Sequence, residues 1–267
     1  MTKEDLTSQG QDLGLQDWRL QVIQPLQSDM TALDYHNIHI DLAGAAASEP
    51  LVNLRDYGVV SRSAYAHSVA PYYKPFSTAL ADVFVRKSVA EKLVRVNKAL
   101  TNYGAELVAL DGFRPIELQH ELWRHFIDKG LQTLKQPSAE DLAKFAGTYC
   151  SDPRGFDKND YRTWPTHNTG GAIDLTLQSL TDWKEMFMGS IFDDADQISS
   201  TRFFESPNLN SQSADAARSN RRLLYHAMLC QGFANYHHEW WHFDYGTQMW
   251  IMNGGQADIA LYGRAEL

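Results

Sequence analysis

One pair of short motifs constrains this chain more than any other feature. They are Thr166-His-Asn-Thr-Gly-Gly-Ala-Ile-Asp174 and, much later, His238-Glu-Trp-Trp-His-Phe243. The first brackets a glycine pair with a histidine and an aspartate, so a loop His and a strand Asp can turn back to one point. A catalytic metal site needs three protein ligands of nitrogen or oxygen type and one open position. His167 and Asp174 supply two, and His242 completes the set from a separate strand. Glu239 is then the candidate general base. Positions i and i+3 face opposite sides of an ideal strand, so Glu239 has to sit in the turn before that strand or on a bulge. Singly, each residue has a commonplace reading, a surface loop histidine or an acid at a solvated strand edge. The combination is what carries the inference. His237 and His238 read as flanking loop residues, and His36 and His39 as ordinary strand residues.

The rest of the chain supplies elements able to carry these motifs. Residues 1–30 are polar and Gln-rich and read as an arm, 31–250 as the folded domain and 251–267 as a tail. Asp34 to Leu42 reads as a strand, with Ile38, Ile40 and Leu42 alternating on one face, and Gly44 to Pro50 as a small-residue loop. Val89, Leu93, Val96 and Leu100 form one helical stripe from Arg86, stopped by Gly104. Ala105 to Leu110 is a short apolar run, expected as a buried strand. Asp111-Gly-Phe-Arg-Pro115 breaks it, and Pro115 opens a second helix with Leu118, Leu122 and Ile127 inward and Gly130 at its end. A third helix follows Ser138 as N-cap. Cys150 to Thr169 is loop, Ala172 to Leu177 an alternating strand, and 182–214 a long irregular stretch suspected of lining a site. Ala214 to Gln231 is helical in pattern, and Trp240 to Tyr245 is a last strand. Helices and strands mix without strict alternation, which predicts a single α+β domain whose central, mostly antiparallel sheet is flanked by helices.

Composition narrows the classes. A chain of 267 residues with 43% hydrophobic and 21% charged residues is long and apolar enough for one sizeable core. Its net charge of −9, with no Lys/Arg-rich run, argues against nucleic acid or an anionic membrane as a charge-driven partner. No run approaches the roughly 18 apolar residues of a membrane helix. The first ten residues carry two acids and no apolar signal core. The expectation is a soluble cytoplasmic protein, with a periplasmic or secreted form left open. Two cysteines without a CxxC pair predict buried, unpaired thiols, a Cys150–Cys230 bridge being the alternative.

His167-x2-Gly-x-Ala-x-Asp174 followed by Glu239-x-x-His242 resembles the zinc D,D-peptidases that act on peptidoglycan peptides. Five further segments resemble their VanX-type D-alanyl-D-alanine dipeptidase branch: Asp111-Gly-Phe-Arg-Pro115, Ala172-Ile-Asp-Leu-Thr-Leu177, Met188-Gly-x-x-Phe-Asp193, Asn220-Arg-Arg-Leu223 and Glu239-Trp-Trp-His242. They occur in the expected order over about residues 55–245. The resemblance implies a D,D-peptidase-like (Hedgehog-like) fold with the zinc site at the sheet. It implies His167, Asp174 and His242 as ligands of one Zn2+ per chain and Glu239 as catalytic base. It also implies Arg114 as stabiliser of the tetrahedral oxyanion, Asp193 as holder of the substrate's free ammonium, and Tyr65 as a neighbour with a similar task. The implied activity is hydrolysis of D-alanyl-D-alanine or a similar small D,D-dipeptide. A carboxypeptidase or endopeptidase trimming peptidoglycan peptides, and an inactive zinc-bearing binding domain, are the alternatives. The chain departs from the pattern at Pro165, where the family usually has serine, and at Thr169, where an arginine is frequent. Nothing in the sequence fixes an oligomeric state.

Overall fold

The computed structural model describes residues 17–25, 35–194 and 196–267. Of the expected arm, 1–16 and 26–30 lie outside the described residues. The strands are β1 (Leu51–Asn53), β2 (Val60–Ser61), β3 (Phe84–Arg86), β4 (Ala105–Asp111), β5 (Ala172–Ser179), β6 (Ala234–Asn235) and β7 (His242–Asp244). The helices are α1 (Lys87–Leu100), α2 (Ile116–Thr133), α3 (Ala139–Gly147), α4 (Gln212–Leu229) and the short α5 (Gln248–Met252). Five strands form the central sheet in the order β2-β4-β5-β7-β6, and β1 pairs with β3 in a small separate ribbon. Only β2–β4 is parallel; the other central pairs are antiparallel. The expected mixed α+β fold with a mostly antiparallel sheet is what the chain forms.

The core follows from the sequence periods. Helix α1 buries Val89, Leu93, Val96 and Leu100 and packs on β4 and α4. β4 and β5 are buried along nearly their whole length, so the β5 segment read as alternating is covered on both faces. At about 25 cal/mol per Å² of apolar surface, burying each large aliphatic side chain stabilises the fold by roughly 1.5–3 kcal/mol. Ser138 caps α3 in a reciprocal capping box with Asp141.

Several expectations need correction. Asp34 lies outside the described residues, and the remainder of the supposed Asp34–Leu42 strand is not one. Tyr35–Asn37, with His36, forms a 3-10 turn, and Ile40 makes a single bridge to Ala260. Ile40 alone there is buried while Leu42 is exposed. Without a partner strand, alternation has nothing to bury. Part of the 44–50 loop is a 3-10 turn, Ala45–Ser48. Gly130 does not end α2, which runs to Thr133. A Cβ at 130 would lie 2.9 Å from Leu142 and 3.0 Å from Phe145, so this glycine lets α3 approach α2 closely. The last strand is only His242–Asp244, because Trp240 and Trp241 belong to the turn before it. The two cysteines are unpaired, but Cys230 is exposed rather than buried.

Residues outside the central sheet are tied to it. Trp18 stacks on Tyr103 with ring centroids 5.3 Å apart. Ile23 is buried, its N–H donating to Glu205 and its carbonyl accepting from Arg202. At the other end, Ala265 N–H donates to Asn168 O, and Arg86 donates to Gly263 O. Among the described residues no helix is long and apolar enough to cross a membrane.

The irregular stretch between β5 and α4 is held by one buried cation. Arg221 on α4, 2% exposed, donates to the carbonyls of Met188, Ser200 and Ile198 at 2.7–2.8 Å. Burial pushes its pKa down to about 9, which leaves it charged at neutral pH. Arg221→Met should strip one buried and two half-buried carbonyls of their donor. Each such orphan costs about 1–3 kcal/mol, and each kcal/mol shifts Tm by roughly 2–4 °C at this chain size. Calorimetry should therefore show Tm lower by about 6 °C or more. A Tm within about 1 °C of the parent would contradict this role.

Candidate active site

The site begins with strand register. Asp174 on β5 sits opposite His242 on β7. On its other side a bulge at Leu110 shifts the β4 ladder, so that Asp111 instead sits opposite Asp174. Three adjacent strands thus present Asp111, Asp174 and His242 in one row. His167 reaches the row from the 3-10 turn Thr166–Thr169. Ligand-type atoms of His167, Asp174 and His242 lie within 4.8 Å of one another, all three residues buried. Glu239 sits in the turn before β7, as strand geometry required, its N–H donating to Tyr236 O at 2.9 Å. Its carboxylate stands 3.8 Å from His242 Nδ1.

The hydrogen bonds decide what this cluster can bind. His167 Nδ1 lies 2.8 Å from Gly112 O, an acceptor only, so Nδ1 carries the proton and Nε2 a lone pair. His242 Nε2 lies 2.8 Å from Asp244 Oδ2 and donates to it, leaving Nδ1 for the cluster. Those two inward nitrogens are 3.2 Å apart, and Asp174 Oδ1 is 3.1 Å from His242 Nδ1. At those distances a proton on His242 Nδ1 joins the three groups, and a metal ion in its place would take all three as ligands. Asp244 is fully buried and its other oxygen accepts from Thr166 and Thr247 hydroxyls, both at 2.7 Å. Ring nitrogens turned outward onto a carbonyl and a carboxylate are the support a metal-binding histidine normally has. The residues fit a divalent ion of borderline character, zinc among them.

Charge balance points the same way. Asp111, Asp174, Asp193, Glu239 and Asp244 face one guanidinium and two imidazoles. Burial, opposed by the pull of His242 and Arg114 and helped by repulsion from Asp174 and Asp193, pushes Glu239 up to about 8. Burial and Asp174 push Asp193 up to about 6 against the hydrogen bonds from Tyr72 and Tyr65. Asp111 is raised as well, by burial and Asp174 against Arg114. Burial and Arg114 drive His167 down to about 3, so it is neutral. Burial alone would lower His242 too, but Asp244 and Asp174 hold it well above the usual histidine range. An ionised cluster of this composition needs more positive charge than the protein supplies.

Arg114 stands at the β4–α2 corner. Its N–H donates to His167 O at 3.1 Å, and Gly112 lets the corner press against Phe84, whose carbonyl oxygen would lie 2.5 Å from a Cβ at 112. The guanidinium is buried and fixed on three sides, donating to Asp111 at 2.9 Å, Gln119 at 3.0 Å and Tyr65 at 3.1 Å. Nη2 lies 3.7 Å from Asp174. Tyr65 passes the chain on, its hydroxyl donating to Asp193 Oδ2 at 2.8 Å, and Tyr72 donates to the same oxygen at 2.6 Å. Asp193 adopts a left-handed backbone (φ 56°) that aspartate tolerates better than most residues. Asp193 and Glu239 line one cavity of about 790 Å³.

The structure therefore brings together all seven residues singled out in the sequence: His167, Asp174, His242, Glu239, Arg114, Asp193 and Tyr65. Sequence reasoning missed Asp111, Gln119, Tyr72 and Asp244. Asp244 had a legible signal, since positions i and i+2 of a strand share a face and it follows His242 by two. Asp111 lay inside the quoted Asp111–Pro115 segment. Tyr72 had no signal. Of the two departures, Thr169 is turned inward, its hydroxyl donating to Thr166 O at 2.7 Å, and Pro165 caps the turn that carries His167.

Comparison with known proteins agrees with this geometry. Residues 58–257 match the peptidase M15 family model, described as D-ala-D-ala dipeptidase. The chain belongs to that family. A D-alanyl-D-alanine dipeptidase of Synechocystis sp. is 30% identical over 178 residues, 60% of this chain and 70% of the relative. One from Streptomyces coelicolor is 32% identical over 64% of this chain and 77% of its own length. One from Enterococcus faecalis is 29% identical over 58% and 69%, respectively. The strands that carry this cluster lie inside the matched region. The Trp18–Leu20 turn packed on Tyr103 lies outside it.

The outward contacts generate a test independent of catalysis. Asp244→Ala should weaken divalent-metal affinity by about 10–100-fold, as loss of a ligand's supporting carboxylate does. Competition against a chromogenic chelator reads this directly. Unchanged affinity in a folded variant would contradict the assignment of the inward nitrogens.

Proposed function

We propose that this chain is a zinc metallopeptidase that hydrolyses D-alanyl-D-alanine, or a similar small D,D-dipeptide, to free amino acids. The observation that carries the reading is the adjacency of two devices, with Glu239 of one and Asp193 of the other lining the same cavity. The convergent His167–Asp174–His242 donors, with Glu239 beside them, adjoin an Asp193 carboxylate held by two tyrosines. The first device is what amide hydrolysis needs, and the second suits a free ammonium group.

His167 Nε2, His242 Nδ1 and an Asp174 oxygen would hold one zinc ion. Such an ion supplies Lewis acidity that brings water's pKa from about 15.7 to about 7, and positive charge that favours ionised Glu239. Glu239 accepts the proton of the attacking water and returns it to the leaving amine. Arg114, its plane fixed by Asp111, Gln119 and Tyr65, donates to the oxygen on which negative charge grows. Removing one such donor typically costs about 3–4 kcal/mol of barrier. Asp193 pairs the substrate's ammonium, with Tyr65 and Tyr72 setting the direction of its carboxylate.

The size of the cavity favours a second reading, a carboxypeptidase acting on longer peptidoglycan peptides. The two readings differ at Asp193. A dipeptidase binds a charged amine there, whereas a carboxypeptidase must accept an acylated residue before the scissile bond. Metal-loaded protein should cleave D-Ala-D-Ala and reject both N-acetyl-D-Ala-D-Ala and a D-Ala-D-Ala-terminated pentapeptide. Acetylation removes the charge that Asp193 pairs and leaves a buried carboxylate without its partner. Equal kcat/KM for the free and acetylated dipeptides would overturn the dipeptidase reading. Separately, Glu239→Ala should retain its metal and lose at least about a hundredfold in turnover. Retained activity would move the base elsewhere, with His238 next to test.

A further inference from the structure

We infer that Arg86 is a positioning residue for the metal site, bracing the turn that carries His167 against the C-terminal segment. This rests on the metal-site reading above. Between His167 and Asp174 the chain passes through Gly170 and Gly171. Gly170 has a left-handed backbone (φ 73°), and glycine loses more conformational freedom on ordering than any other residue. A glycine pair has no side chain with which to anchor itself. Its place has to be fixed by donors to the neighbouring carbonyls and by what packs against it.

Two sets of partners hold the turn. One belongs to the cluster: Arg114 N–H donates to His167 O at 3.1 Å, and Asn168 Nδ2 donates to Arg114 O at 3.2 Å. The other is built on Arg86, buried at the junction of β3 and α1. Its backbone N–H donates to Gly170 O at 2.9 Å and its Nε to Thr169 O at 2.7 Å. Nη1 and Nη2 reach two remote segments, donating to Glu49 O and, at 2.6 Å, to Gly263 O. The C-terminal segment answers directly, Ala265 N–H donating to Asn168 O at 2.9 Å. Three consecutive carbonyls, those of Asn168, Thr169 and Gly170, are therefore held by Arg86 and the segment it ties down. Tyr262 covers Gly171, where a Cβ would lie 2.7 Å from its ring. Glu49, Tyr262, Gly263 and Ala265 all lie outside residues 58–257, the region matched to the family.

The consequence falls on metal affinity and not on stability alone. When a ligand is in place only part of the time, the ion is bound more weakly by that fraction. Competition for Zn2+ against a chromogenic chelator measures this on the full chain and on three variants, with Tm taken alongside. Arg86→Met should bind zinc about tenfold or more weakly, the loss for a turn in place about a tenth of the time. Leu100→Ala is the control, opening a core cavity at the far end of α1, about 20 Å from Arg86. It should lower Tm yet keep the parent's affinity within about twofold, as remote sites do. Ala265→Pro removes a single donor outside every helix and strand, so it decides the matter if Arg86→Met fails to fold. It should weaken zinc binding about threefold or more, the worth of one hydrogen bond. Parent affinity in Ala265→Pro, or in folded Arg86→Met, would overturn the inference and leave the metal site standing. So would a loss in Leu100→Ala equal to that in Arg86→Met. A parent chain unable to compete for zinc would overturn the metal-site reading itself, and this inference with it.

Discussion

The convergence of two imidazole nitrogens and a carboxylate in a buried, acid-rich row is the constraint on which the rest of the structure depends. Left alone, His167 Nε2 and His242 Nδ1 at 3.2 Å, beside Asp174, would be an unfavourable use of the sheet's centre. Burying charge is costly unless it is paired, and here the acids outnumber the bases. Glu239 and Asp193 are raised first by burial and further by the neighbouring carboxylates. A divalent cation held by His167, Asp174 and His242 would resolve that excess at one point.

Two layers keep the row in place. The first is the backbone. The antiparallel β4–β5–β7 register sets Asp111, Asp174 and His242 side by side, and the bulge at Leu110 brings Asp111 into line. The second is the set of groups that hold the functional side chains from outside. Thr166 and Thr247 fix Asp244, which fixes His242. Asp111 and Gln119 fix Arg114, which with Asp193 fixes the Tyr65 hydroxyl. A run of hydrogen bonds therefore links Arg114 to Asp193 through a single hydroxyl. The irregular stretch carrying Asp193 gains rigidity from Arg221, which ties three of its carbonyls to α4.

Much of this was legible in the sequence where a local rule had a tertiary partner to act on. The stripe of α1, the capping of α3 and the buried β4 were readable from local rules, whereas the apparent alternation of β5 did not report that both its faces are covered. Strand geometry alone asked that Glu239 lie in a turn before β7 or on a bulge, and it lies in the turn. The Asp34–Leu42 segment misled because alternation reports a strand only when a neighbouring strand exists, and Ile40 found just one bridge to Ala260. Gly130 misled because a glycine that permits close helix packing and one that stops a helix look alike in sequence. The short strands β1, β2, β3 and β6 are defined by partners rather than by their own two or three residues. Tyr72 and Gln119 were invisible because their roles are set by long-range contacts. His167, Asp174 and His242 were visible because a metal site restricts residue type as well as place.

The most direct test of the account is X-ray absorption at the zinc edge of the purified, zinc-loaded chain. The account predicts about one zinc per chain, with a first shell of nitrogen and oxygen only, two of the scatterers being imidazole rings. It also predicts that replacing His242 with alanine removes one imidazole contribution or the metal altogether. A sulfur-containing shell, or a spectrum unchanged by loss of His242, would contradict it.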